Sequence, residues 1–457
     1  MAQKKIERLD SWPEWFTGKT INEPIFCREF LERHKLAYTE NSFFTPAGRV
    51  TDENAMRQNI YQQLEPFIVT GMSKKVDDIM KDLRIKAQVT GLLPQTDRVH
   101  VQNGTVFLDG SFIEAQNEIV RSRFPVRFNP KVKKPERWLK FLSELCWPED
   151  IPTLQEFIGY CLIPSNAGQK MMVIKGSGGE GKSQIGHVLS RMFGPNAKDG
   201  SVGKISENPF ARADLEHIHL MIDDDMRLEA LKQTNYIKAI VTAKGKMDLE
   251  RKGKQSYQGF MYARILAFSN GDLMSLFDRS DGFFRRQLIL TTKRKPPDRA
   301  DDPELADKLC EELDGIFLWA FEGLQRLVKN NFRFTESDQT RVNREAVKKD
   351  ANNVELFLES KGYITRGQDC SISSKELGDV YHTWCEENAY PALKSKTLIE
   401  QLVANQEKYG IQYTTHLINS AGRQVRGFKG IGSLIKTSGY SSGGWQQVDP
   451  DDNPFKT

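Results

Sequence analysis

Apolar residues recur at helical spacing near Asn54 to Ile68 and again near Lys74 to Ile85, so residues 1 to about 95 read as an irregular, mostly helical region. The period then changes. From Val99 to Leu108 two β-rich runs flank Asn103-Gly104, the dipeptide that best favours a tight hairpin turn, and a small β element is expected there. Arg121 to Lys134 mixes Arg and Lys with Phe124, Phe128 and prolines; such a stretch can touch a phosphate backbone but more simply reads as an extended linker surface. Helical spacing returns from Trp138 to Leu162, broken by Pro148 and Pro152, and leads into a strand at Met171 to Ile174. Beyond it come an amphipathic segment at Gln184 to Met192 and β-rich runs at Ile218 to Ile222, Tyr262 to Ser269 and Gln287 to Leu290. Strands alternating with helices predict an α/β domain.

The remainder predicts a separate unit. After Pro296-Pro297 and a helical segment at Leu305 to Val328, the charged run Glu336 to Asp350 marks a junction. Val354 to Lys361, Ser374 to Asn388 and Leu398 to Glu407 then read as helices, followed by strand-like Ile411 to Thr415 and Arg423 to Lys429. Helices followed by a β wing suggest a winged-helix-like domain over 350–436, in which Tyr381, Trp384 and Cys385 are core by periodicity. The tail 437–457 is rich in Gly, Ser, Asp and Pro and reads as flexible. The expected division is thus 1–137, 138–335 and 350–436 with a tail, in keeping with 457 residues being more than one core usually organises.

Composition narrows the class but does not name a function. With 39% hydrophobic and 28% charged residues the chain has the composition of an ordinary globular protein, neither disordered nor fibrous. A formal net charge of +4 is too mild to predict DNA binding by itself, so any nucleic-acid affinity must come from local basic patches. Cys27, Cys146, Cys161, Cys310, Cys370 and Cys385 form no Cys-x-x-Cys pair, which points to reduced thiols rather than a disulfide framework or zinc site. No apolar run approaches the roughly 18 residues of a membrane helix, and Met1 to Asp10 lacks a signal-peptide core. The expected location is the cytoplasm.

One motif carries specific chemistry. Gly176-Ser177-Gly178-Gly179-Glu180-Gly181-Lys182-Ser183 follows a strand and precedes a helix, the context a P-loop requires. Glycines let backbone N–H groups surround phosphates, Lys182 is placed to reach the β and γ phosphates of ATP, and the Ser183 hydroxyl can ligate Mg2+. At average residue usage the pattern arises by chance in roughly one or two chains of this length in a hundred, which leaves little room for an incidental Gly-rich loop. A P-loop needs an acidic partner at a neighbouring strand end, and Asp223, Asp224 and Asp225 stand at the end of Ile218 to Ile222. An isolated triple aspartate is more often a solvated turn; the strand before it favours a role in which one carboxylate, Asp223 or Asp224, serves Mg2+ and another, Asp224 or Asp225, serves the attacking water. His217 and His219 read as packing residues.

Three further features bear on motion. Asn270 ends the strand from Tyr262, in position to contact a γ-phosphate, although an Asn at a strand end is commonly a turn residue. Glu250 to Gln255 reads as a basic hairpin tip with Arg251, Lys252 and Lys254 as candidate DNA contacts, against the plain alternative of a solvated loop. Arg285 and Arg286 precede a β-rich run, a place suited to an arginine finger aimed at a neighbouring subunit's ATP.

The order of these motifs resembles the superfamily 3 helicases of the AAA+ class, specifically the phage and plasmid primase-helicase family that is similar to the poxvirus replicative helicase. The resemblance runs from about Gly104 to about Gly430. Leu154 to Leu162 resembles the family's helix before the P-loop, Gly176 to Ser183 its Walker A, Lys238 with Arg251-Lys252 its DNA-gripping B′ motif, Phe268-Ser269-Asn270 its motif C, and Asp281 to Arg286 its arginine-finger segment. The family's acidic pair often ends in Glu, whereas only aspartates stand here, which leaves the register of 223–225 open.

The resemblance implies an ATP- and Mg2+-dependent helicase, a homo-oligomer of hexameric-ring type acting on single-stranded and forked DNA beside other replication proteins in a bacterial host cytoplasm. Relatives often carry a primase domain with an acidic metal site; no Asp-x-Asp or Cys/His cluster precedes Gly176, so primer synthesis is not expected. Two other functions fit the same motifs: an AAA+ initiator or helicase loader, and a P-loop NTPase regulator that does not act on DNA.

Overall fold

The computed structural model describes residues 12–115, 117–226, 234–270, 281–296, 302–350, 353–388, 390, 392–418 and 422–435. The expected flexible tail at 437–457, the break at Gly271-Asp272 and Pro297 lie outside them. The chain divides into two compact units, 1–347 and 348–457.

The first unit is organised by a five-stranded parallel sheet, in the spatial order Gln287–Thr291, Met171–Lys175, Arg264–Ser269, Leu220–Asp223, Ala197–Asp199. The central strands are buried on both faces and read as continuous apolar runs, as parallel strands covered by helices must. Helix Lys182–Phe193 lies directly on the sheet, with Gly186 against the Phe268 ring. On the same core pack helix Glu136–Leu145, helix Ile151–Tyr160 and the long helix Leu313–Lys329. Pro148 and Pro152 break the sequence's helical run as expected, leaving a short 3-10 turn at Pro148–Asp150.

The hairpin predicted around Asn103-Gly104 pairs Arg98–Val101 with Gly104–Phe107, and the turn residues are Gln102 and Asn103, one position earlier than the dipeptide suggests. Asn103 explains the shift: its side chain accepts from Phe128 N and donates to Phe128 O, both at 2.9 Å, and so staples the turn to the strap beyond. Val99, Val101, Val106, Phe124, Val126 and Phe128 thereby join the sheet's own hydrophobic core. Arg121 and Arg123 of that strap point inward. Arg121 pairs with Glu40 at 2.8 Å, and Arg123 donates to the carbonyls of Pro46 and Val101 at 2.5 Å each, so the strap is structural. The first residues form a second apolar cluster from Trp15 to Ala87, built by helices Glu23–His34, Glu53–Leu64 and Met72–Lys86 around a small antiparallel sheet. The sheet and the first of these helices carry no periodicity strong enough to have been predicted.

The second unit holds helices Asn353–Glu359, Ser374–Glu387 and Ser395–Ala404 against a three-stranded antiparallel sheet in which Gln424–Ser433 lies between Ile364–Ser373 and Gln412–Ile418. Strand Ile364–Ser373 is missing from the sequence reading because its middle is solvent-exposed and polar. Tyr381, Trp384 and Cys385 are buried core residues, as their spacing predicts. All six cysteines are free thiols. No described helix is long and apolar enough to cross a membrane.

The packing of Ile151–Tyr160 on Leu313–Lys329 depends on glycine at both sides of the contact. A Cβ on Gly159 would sit 2.2 Å from Ala320 O, and one on Gly323 would sit 2.5 Å from Gln155 O. Beside them the buried Glu156 carboxylate accepts from Arg326 at 2.6 Å and from Thr335 N at 2.7 Å. Alanine at either glycine gains about 1 kcal/mol of helix propensity, yet the backbone clash forces the helices apart. We expect Gly159→Ala and Gly323→Ala each to lower the unfolding free energy by about 1–3 kcal/mol in denaturant titrations; unchanged stability would show that the helices separate freely.

Candidate functional site

Because the sheet is parallel, the carboxyl ends of its strands share one edge, and the chain leaves the three central strands, Met171–Lys175, Arg264–Ser269 and Leu220–Asp223, into a predicted site residue. Lys175 stands beside Ser269 on one side and Thr291 on the other, while Asp223 stands beside Ala267. Gly176, Asn270 and Asp224 therefore emerge at neighbouring points. Gly176 N donates to Ser269 O at 3.0 Å, tying the start of the loop to the strand that ends in Asn270.

The loop itself is shaped by glycine. Gly178, Gly179 and Gly181 have φ of +103°, +78° and +104°, the left-handed region that other residues enter at a cost. Gly181 caps helix Lys182–Phe193 with no side-chain hydrogen bond, so the first N–H groups of that helix face the loop uncapped. Lys182 is 8% exposed; its ammonium donates to Glu180 Oε2 at 2.9 Å and to Asn270 Oδ1 at 3.2 Å. Loop lysine and strand-end asparagine are thus neighbours. Glu180 is 3% exposed and accepts from the N–H groups of Ser177 and, at 3.0 Å, Gly178. Burial works to raise its pKa, but Lys182 and the N–H donors outweigh that and hold the carboxyl below its usual value.

A cavity of about 900 Å³ opens above this edge, lined by Gly178, Gly179, Gly181, Lys182, Ser183, Asp224, Asp225 and Asn270. Its far wall comes from residues the sequence reading did not single out: Arg137, Lys140, Phe141 and Glu144 of helix Glu136–Leu145, with Asp302, Pro303, Leu305 and Lys308. No local pattern marks them, since they meet the loop only through the fold. They bring the apolar Phe141, Pro303 and Leu305 together with cations that are paired with carboxylates, Lys140 with Glu144 and Lys308 with Asp302. Ser183 and the two aspartates offer hydroxyl and carboxylate oxygens to one space with room for water, a donor set suited to Mg2+, which keeps several waters and few protein ligands.

The three aspartates separate. Asp223, assigned from the sequence to metal, is 5% exposed, does not line the cavity, and has Oδ2 bonded to Val202 N at 2.7 Å at the start of helix Val202–Glu207. Burial, the first cause, and the neighbouring Asp225 and Asp224 charges push its pKa up. Of the three, Asp224 and Asp225 reach the cavity.

The basic hairpin exists, pairing Gly245–Leu249 with Tyr257–Met261, and its three candidate cations differ. Lys252 and Lys254 are exposed at the tip. Arg251, just beyond the last paired rung, is held against the protein, donating to Glu216 at 2.8 Å and to the Tyr257 hydroxyl at 2.7 Å, while that hydroxyl donates to Glu216 at 2.6 Å. Lys238, matched to the same motif, lies on helix Asn235–Thr242. Arg285 is exposed and Arg286 half-buried, the latter donating to Gly282 O. Both precede strand Gln287–Thr291 and so lie at its amino end, about 16 Å from the loop edge at five residues of strand rise. They cannot serve the loop of their own chain without a large movement. His219 is buried between Cys161 O and the Ser122 hydroxyl, 3.0 Å from each, with its pKa pushed down to about 3 by burial, as fits a packing residue. His217 is likewise buried.

Residues 174–286, which hold the loop, the aspartates, the hairpin and the arginines, match a family described as a family of unknown function, DUF5906. The apo structure of the NrS-1 C-terminal region is similar at 10% identity with a TM-score of 0.51, covering 90% of this chain and 100% of that one. An A form apo structure of that region gives a TM-score of 0.48 at 10% identity, covering 89% and 99%. At such identity the likeness is one of fold.

The separation of the aspartates is testable by stability. A carboxyl whose folded pKa is raised contributes stability below its unfolded pKa and loses it as pH rises through the folded one, so ionised Asp223 is a burden at neutral pH. Asp223→Asn keeps an acceptor for Val202 N without the charge, and its melting temperature at pH 7 is expected to equal or exceed the parent's. Asp223→Ala orphans that N–H and should cost about 1–3 kcal/mol. Equal behaviour of the two variants would refute the capping role.

Proposed function

We propose that this chain is an ATP-hydrolysing DNA motor of the superfamily 3 type, acting as a ring in the replication of a phage or other mobile element. The observation that carries the reading is the convergence of the Gly176–Ser183 loop, Asp224, Asp225 and Asn270 on one cavity at the carboxyl edge of a parallel sheet. A P-loop, a Walker B pair and a sensor asparagine need that arrangement, and an incidental Gly-rich loop does not.

In this reading the loop N–H groups and Lys182 bind the phosphates, and Ser183 with Asp224 or Asp225 holds Mg2+ through oxygen ligands. The metal, when bound, neutralises charge on the phosphate oxygens. Asp225 or Asp224 orients the attacking water, and Asn270 fixes its place beside the γ-phosphate. Arg285 and Arg286, remote from their own loop, act on the ATP of the next subunit, which is why a ring is required. Lys252 and Lys254 at the hairpin tip meet the DNA backbone, and Arg251 anchors the hairpin rather than touching DNA. The described residues of the second unit hold helices Asn353–Glu359, Ser374–Glu387, Ser395–Ala404 and the short Gln406–Tyr409, with a sheet whose last strand lies in the middle, which supports a winged-helix reading for 350–436.

Steady-state hydrolysis measured with and without single-stranded DNA tests the whole. We expect DNA to stimulate turnover and Lys182→Ala to lower it about 100-fold or more. Hydrolysis indifferent to DNA would favour a loader or a regulator. Arg286→Ala should retain ATP binding while losing about 1000-fold in turnover, and normal hydrolysis by that variant would eliminate the trans arginine.

The hairpin is read by salt. Replacing Lys252 or Lys254 with Ala should weaken single-strand binding and reduce the slope of log affinity against log salt by about 0.7 per lysine. An unchanged slope would place the DNA elsewhere.

A further inference from the structure

The loop that should receive phosphate already holds an anion of its own. The two oxygens of the Glu180 carboxylate accept from Ser177 N, from Gly178 N at 3.0 Å and from the Lys182 ammonium at 2.9 Å. These are the donors a phosphate group would use. The contact is packed closely against Gly176: a Cβ there would lie 2.5 Å from Thr292 Oγ1, 2.6 Å from Lys182 Nζ and 2.9 Å from Glu180 Oε2, so a side chain at 176 would have to push the ammonium and carboxylate aside.

We propose that Glu180 is a built-in counter-ion for the loop N–H groups and Lys182, and that a nucleotide binds by displacing it. The proposal rests on the nucleotide reading above and adds a control on that site. The P-loop pattern leaves the residue before the second invariant glycine free, so a carboxylate here is this chain's own choice and no requirement of the loop. Two physical consequences follow. Glu180 compensates the buried Lys182 ammonium, whose isolation would strain the fold. A ligand must also offer more than one carboxylate's worth of charge and hydrogen bonding, so a single inorganic anion is a poor competitor while a di- or triphosphate with a base to lay against the far wall is a good one. Nucleotide affinity is therefore set below what the loop by itself would give.

The test is equilibrium binding of ATP and of inorganic pyrophosphate to the full chain, in the parent, Glu180→Gln and Lys182→Ala. Removing the competing charge should tighten ATP binding about tenfold, the worth of one charge-assisted hydrogen bond, and pyrophosphate, which has no base, should gain at least as much. Should Glu180→Gln fail to fold, Glu180→Asp, one methylene shorter and drawn back from the N–H groups, is expected to tighten both ligands in the same direction. ATP binding that depends on Lys182 but is equal or weaker in the foldable Glu180 variant overturns this proposal alone. A folded parent that binds no ATP, or binds it regardless of Lys182, overturns the nucleotide reading and the proposal together.

Discussion

The parallel pairing of Met171–Lys175 with Arg264–Ser269, and of the latter with Leu220–Asp223, is the constraint from which the site follows. Parallel strands send their carboxyl ends to one edge, and each strand here ends just before a residue with a polar task. A slip of one residue in either register would turn every side chain of a strand to the other face and carry Asn270 away from Lys182 or Asp224 off the cavity. The register is held by burial on both faces of the sheet, and the 3.0 Å bond from Gly176 N to Ser269 O locks its last rung.

Charge in this molecule is handled by position. Arg264 is 1% exposed and donates to Cys161 O and Ser165 O at 2.7 and 3.2 Å, closing the amino edge of the sheet against the loop before the first central strand. Arg121 is shared between Glu40 and the ring of Phe260 in the hairpin, and Glu40 also reaches Lys246 at 3.3 Å. The basic hairpin is thus fixed at its base to the amino-terminal cluster and exposed at its tip. The same separation divides Asp223, which caps a helix, from Asp224 and Asp225, which face the cavity.

Chemistry was legible wherever function demands a particular residue at a particular spacing. Gly176 to Ser183 stood out as a loop between strand and helix, because left-handed turns at Gly178, Gly179 and Gly181 require glycine. Asn270 and the aspartates were legible as strand ends. The register of the three aspartates was not, since alternation across a strand end depends on where the last pairing falls, and that is set by neighbouring strands. Arg251 looked like Lys252 and Lys254 because nothing local reveals Glu216, thirty-five positions earlier, beneath it. The far wall of the cavity was invisible for the same reason.

The sequence by itself determined the alternation of strands and helices, the place of the Gly-rich loop between strand and helix and the helical spacing of the long apolar helices, because these depend on backbone preference and on periodicity within a few residues. It also determined the Asn103 turn to within one position. Tertiary structure decided the rest: the turn's final place, the small sheet before Val50, the exposed strand Ile364–Ser373, and which cations are buried and which are offered to solvent. It alone brought the Glu180 carboxylate onto its own loop's N–H groups and Lys182. Such outcomes turn on partners distant in the chain and on competition among donors for one acceptor, which no local pattern records.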